Sequence, residues 1–234
     1  MQTDCFKGSK KADYDFILKL KDEILTEVPE VKLLGVIIDN KLSYKSHLDK
    51  LCRRVSAKVN ALHRISPHLS DTQHRFLANS FISSEFNYCP LVWSFTSRDA
   101  LHRIQHLQDR VERMSPGCSH LSIHRRNCEL LLKEIFKTKH SLNPSYMKEV
   151  FDFKDFIPYN TRARPEMKCP PAHTTHHGLQ TASYIGTQLW NALPNLVRDS
   201  ENIDSFMSSV RTLPDLLCRC RLCADFVAGL GYIT

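Results

Sequence analysis

The 234 residues, 42% of them hydrophobic and 24% charged, suit one large or two small domains with an ordinary globular core. Seven glycines are few for an all-β protein built on tight turns, and no apolar stretch approaches the length of a membrane span. The net charge of +7 points to an anionic partner only if it is concentrated, and it is: residues 45–126 hold 13 Lys and Arg against 6 Asp and Glu, while the rest of the chain balances.

Residues 1–30 are a weakly patterned lead-in, with Asp13 and Asp15 its one close carboxylate pair. "EILTEV" (23–28) and "VKLLGVIID" (31–39) predict two short strands around a turn at Pro29–Glu30. A polar turn at Asp39–Asn40–Lys41 follows, after which Leu42 and Tyr44 suggest a third short strand. Ser46 with Asp49 three residues on is a capping-box pattern for a helix over 47–65. Leu48, Leu51, Val55, Val59 and Leu62 recur at three and four and form one stripe. Lys50, Arg53, Arg54 and Arg64 fall mostly on the opposite side, with Lys58 at the margin. Ser70 with Gln73 opens a second helix, 71–85, with Phe76, Leu77, Phe81 and Ile82 predicted inward, and "FNYCPLVW" (86–93) breaks at Pro90. Ser97 caps a third helix, 98–114, whose stripe is Leu101, Ile104, Leu107, Val111 and Met114, with Arg103, Arg110 and Arg113 as its basic complement.

"SPGCSH" (115–120) reads as a hinge, and a fourth helix spans 124–140. Pro144 then starts a short fifth, since proline suits the first helical position. Residues 152–182 read as an extended loop, and "SYIGTQLWNALP" and "NIDSFMSSVRTLP" as two short helices closed by proline. The fold class expected is therefore mainly α with a small N-terminal β-hairpin. A basic helical bundle over 31–114 precedes a C-terminal region, 115–234, of short helices, loop and a cysteine-rich tail.

Cys218, Cys220 and Cys223 have a C-x-C-x-x-C spacing that can converge on zinc, but a structural site wants four ligands. The fourth would have to be Cys169, His173, His176 or His177; without it the three cysteines pack as small hydrophobes. Nine cysteines without an export signal predict free thiols and an intracellular setting, cytoplasmic or nuclear. Asp13 and Asp15 lie beside Lys10 and Lys11 and read as solvated surface rather than a two-metal pair. Nothing pairs a cysteine with a histidine beside an oxyanion-type turn, so a Cys–His hydrolase has no support. Trp93 and Trp190 sit in apolar company and are expected in the core.

"VKLLGVIIDNKLSYKSHLDKLCRR", "FNYCPLVW", "SIHRRNCELLLKEIFKTKHSLNPSYMKEVF", "YNTRARPEMKCPPAHTTHHG", "SYIGTQLWNALP" and "CRCRLCADFVAGLGYI" occur in an order that resembles the downstream part of a LINE-type (non-LTR) retrotransposon reverse transcriptase, over about residues 31–234. The resemblance implies that "LLGVIID" ends the palm as the hairpin that grips the primer terminus. It implies too that the basic helices form a thumb holding the template–primer duplex. The metal-binding carboxylates of such a polymerase lie upstream of the hairpin in an aromatic-x-Asp-Asp turn, and no Asp-Asp dipeptide occurs here. Mg²⁺ is therefore expected only with a palm this chain does not supply. The expected partner is nucleic-acid backbone, RNA–DNA or duplex without sequence preference, held by Lys50, Arg53, Arg54, Lys58, Arg103, Arg110 and Arg113. The other partner implied is the palm itself. A gene relic, or a module repurposed to bind protein, is the alternative.

Overall fold

The computed structural model describes residues 18–20, 23–25, 28–95, 98–114, 121–153, 166–172, 174 and 178–213. Asp13, Asp15, Ser97, the 115–120 hinge, His173, His176, His177 and the Cys218–Cys220–Cys223 tail lie outside the described residues.

Strands β1 (Leu18–Leu20) and β2 (Glu23–Leu25) pair antiparallel. A second two-stranded sheet pairs β3 (Glu30–Leu33) with β4 (Val36–Asp39), with Val31 opposite Ile38 and Leu33 opposite Val36. This corrects the expected turn at Pro29–Glu30. The apolar run folds back on itself at Leu34 and Gly35, whose φ angles of 46° and 87° suit the two-residue turn that matches strand twist. The side chain of Tyr88 lies over that turn, its hydroxyl donating to the Leu34 carbonyl.

The expected third strand is also absent. Leu42 and Tyr44 have φ angles of 51° and 54°, left-handed conformations that cannot continue a strand. The cause is Asp39, whose carboxylate accepts from the backbone N–H groups of Lys41 (3.0 Å), Ser43 (3.1 Å) and Tyr44 (2.6 Å) and from the Ser43 hydroxyl (3.1 Å). The chain is thereby wound into helix α1 (Lys45–Ile65). Ser46 does not cap α1; it lies inside the first turn, and its hydroxyl donates to Glu30 of β3.

The α1 stripe is buried as its periodicity predicts: Leu48, Leu51, Val55, Val59 and Leu62 are all in the core, joined by His47 and Cys52. A 3₁₀ turn, Ser66–His68, leads to α2 (Asp71–Leu77), where Ser70 and Gln73 form the expected reciprocal capping box. From there a π-helical stretch, Ala78–Ser83, continues into α3 (Ser84–Phe86). The inward face is His74, Ala78, Ile82 and Phe86, with Leu77 packed against it, whereas Phe76 and Phe81 are exposed, against expectation. Residues four apart stay on one side through the π stretch, and Phe76 and Phe81 both fall off that line.

Pro90 opens the short helix α4 (Pro90–Trp93). Helix α5 (Arg98–Met114) has the predicted bounds, and Leu101, Ile104, Leu107 and Val111 pack it against α1. The C-terminal half is built on α6 (Ile123–Lys139), capped by Ser122 and crossed by α8 (Ala182–Ala192) and α10 (Ile203–Thr212). Two further short helices, α7 (Met147–Val150) and α9 (Asn195–Arg198), join these elements. Gly186 permits the α6–α8 crossing, since a Cβ there would lie 2.8 Å from Ile135 and 3.2 Å from Phe151. Both tryptophans are buried, Trp93 donating to the Tyr88 carbonyl and Trp190 to Glu166. One apolar cluster runs from α1 to α10. No helix among the described residues is long and apolar enough to cross a membrane.

Candidate nucleic-acid interface

The seven basic residues singled out by the sequence do not form one face. On α1, Asp49 and Asn60 mark one flank, while Arg54 and Lys58 mark another, about 140° away at 3.6 residues per turn. Lys50 shares the Arg54 flank and Arg53 the Asp49 flank by the same spacing.

The Arg54 flank is held by Glu85 of α3, whose carboxylate lies 2.9 Å from Arg54 and 2.6 Å from Lys58. Lys58 also donates to the Phe81 carbonyl at 3.0 Å. Between this flank and the β3–β4 hairpin is an open concavity of about 350 Å³, with Lys32, Lys50, Arg54, Glu85, His47 and Tyr88 in its lining. Three cations there meet one carboxylate, and that carboxylate is shared by Arg54 and Lys58. His47 joins the hairpin to α1, its Nδ1 accepting from the Ile37 N–H at 3.4 Å. Burial, and then the charge of Arg54, hold the His47 pKa below the usual imidazole value, so the ring stays a neutral acceptor.

The second flank lies along the α1–α5 seam. Arg103 reaches across to Asp49 at 2.6 Å and Arg110 to the Asn60 carboxamide at 2.8 Å. The Arg103 guanidinium, through that hydrogen bond, overcomes burial and keeps the Asp49 carboxyl below its usual pKa. Among the described residues, Arg53 donates only to the backbone carbonyl of Asp49, at 3.2 Å. Arg110 and Arg113 follow Arg103 at seven and ten residues, keeping one side of α5 basic. Among the described residues, no hydrogen bond or ion pair reaches Lys50 or Arg113, and both are exposed.

Two rows result. Lys32, Lys50, Arg54 and Lys58 flank α1 on the hairpin side, and Arg53, Arg103, Arg110 and Arg113 line the α5 side. Arg54, Lys58 and Arg103 are engaged in ion pairs, whereas Arg110 has a neutral partner that leaves its charge uncancelled. Sequence reasoning missed Lys32, His47 and Glu85. Lys32 was legible in principle once the hairpin register was known; Glu85, 27 residues from Lys58, carried no local signal.

Among the described residues, no group of three or more His, Cys, Asp or Glu side chains could hold a metal ion. Cys52 and Cys128 are buried and Cys89 and Cys169 exposed, none of the four in a disulfide. Compared with known proteins, the chain matches no family model, no curated protein and no solved structure.

Proposed function

We propose that the chain holds the sugar–phosphate backbone of a nucleic-acid duplex, as thumb helices do in the LINE-type reverse transcriptases its sequence resembles, without reading bases and without polymerising by itself. The observation that carries this reading is the placement of the two basic rows on either flank of α1, one of them rimming an open concavity beneath a docked hairpin. Arginine and lysine at phosphate spacing neutralise backbone and release condensed counterions, an interaction blind to sequence. Binding should therefore be similar for RNA–DNA hybrid, duplex DNA and duplex RNA, within about tenfold and at micromolar strength or weaker. Fluorescence anisotropy with the three labelled duplex types, each in two unrelated sequences, tests this. No binding at low salt, or a preference for one sequence, would refute it.

A second reading has its own observation. Val31, Leu33 and Leu34 of the hairpin and Phe76 and Phe81 of the α2–π segment are all more than half exposed. Apolar side chains of that size in such number suit a protein partner, and a polymerase palm is the partner the resemblance names. Capture of that partner would resist added salt, whereas backbone binding would not.

A further inference from the structure

The cleft between α6 and α10 carries charges that the duplex reading does not use. Arg126, Glu129 and Lys133 follow one face of α6, and Asp204, Ser208 and Arg211 meet them from α10 around an open cavity of about 510 Å³. Glu129 is already matched: its carboxylate accepts from Arg125 Nε at 2.8 Å. Arg125 also closes the end of α10, its Nη2 donating to the carbonyls of Val210 and Leu213 at 3.0 Å each.

Arg126, the next residue, has no such match. Its Nε and Nη2 atoms are sealed from solvent and, among the described residues, have no hydrogen-bond partner. Burial alone lowers the pKa of its guanidinium, with no carboxylate acting against that cost. Arg126 as a whole is only partly buried, but two guanidinium nitrogens shut off without an acceptor are costly, since buried donors are almost always satisfied. With Glu129 matched by Arg125, the lining sets Arg126, Lys133 and Arg211 against Asp204.

We propose that the α6–α10 cleft binds a phosphate group, held by Arg126 with Lys133, Arg211 and the Ser208 hydroxyl around it. Two surplus positive charges suit a dianion better than a monoanionic carboxylate. The cavity is large enough for a nucleotide-sized compound. The same chemistry could be presented by a small phosphate compound or by a nucleic-acid phosphate.

Thermal unfolding at constant pH and ionic strength tests the site with inorganic phosphate as the probe. The wild-type melting temperature should rise saturably with phosphate and not with chloride. Arg126→Met should melt at or above the phosphate-free wild type, because an apolar chain replaces an uncompensated charge, and should lose the phosphate response. Lys133→Met, at a partly exposed position, should weaken the apparent phosphate affinity about tenfold or more. Duplex binding by the same variants separates the sources. Loss of duplex affinity in Arg126→Met identifies a nucleic-acid phosphate, and unchanged duplex affinity a small phosphate compound. The site does not rest on the α1 reading, so Arg53→Ala should leave the phosphate response intact. A wild type without saturable stabilisation, or a response unchanged in both Arg126→Met and Lys133→Met, would overturn the proposal.

Discussion

Glu85 stands between Arg54 and Lys58, at 2.9 and 2.6 Å, and lowers the positive potential of the hairpin-side flank. Replacing it with glutamine keeps the shape and frees both cations. Glu85→Gln is expected to tighten duplex binding several-fold and to steepen its salt dependence by about 0.7–0.9 for each further phosphate neutralised. The stability lost should stay under about 1 kcal/mol, because Arg54 is 55% exposed and solvent screens the pair. Anisotropy titration and urea melts read the two effects, and an unchanged or weaker affinity would show that Glu85 does not mask the flank. His47 makes a pH prediction. Its folded pKa lies below the ordinary 6.5, so below that value the unfolded chain takes up a proton that the folded chain does not. The stability tied to a neutral His47 is therefore fully present above 6.5 and declines as pH falls towards the depressed folded value. Melting curves between pH 7.5 and 5.5 should fall less steeply for His47→Gln than for wild type; parallel curves would contradict the burial argument.

At the scale of elements, helices whose burial follows a regular 3.6 period were legible in the sequence. α5 has its predicted bounds, and the stripe of α1 is buried residue for residue. Legibility failed where geometry departs from that period or depends on distant partners. The hairpin turn was hidden because Leu34, an apolar residue, occupies a left-handed position, and only Gly35 beside it signals a turn. Asp39–Asn40–Lys41 reads as a link between strands, yet the Asp39 carboxylate gathers three backbone N–H groups and starts α1. Phe76 and Phe81 are five residues apart, about 140° around an α-helix, so no single inward face could hold both, and the buried line runs through His74, Ala78, Ile82 and Phe86 instead. The types and helices of the basic site were legible, but its division into two flanks was not, since Arg103 meets Asp49 across 54 residues of chain. Gly35 tests the hairpin: Gly35→Val places a β-branched residue at φ 87° with the Tyr88 ring 3.4 Å from the new Cβ. The expected cost is about 1–2 kcal/mol in chemical denaturation, together with weaker duplex binding as the concavity loses its rim. Wild-type stability in that variant would mean that the turn is formed otherwise.

For the whole molecule, one apolar cluster from α1 to α10 fixes where the two basic rows stand, and the charge excess of residues 45–126 gives those rows their potential. In the proposed function this potential engages phosphates rather than merely keeping the surface hydrated. Lys50 and Arg53 are the sharpest probes, because they lie on opposite flanks, are both exposed, and are outside the ion pairs that hold Arg54, Lys58 and Arg103. The direct measurement is duplex affinity across a salt series for wild type and for Lys50→Ala with Arg53→Ala, by fluorescence anisotropy. Removing two phosphate-neutralising cations should flatten the slope of log affinity against log salt by about 1.4–1.8, and weaken binding most at low salt, with the melting temperature unchanged. Equal affinity and equal slope for the two proteins at every salt concentration would contradict the account.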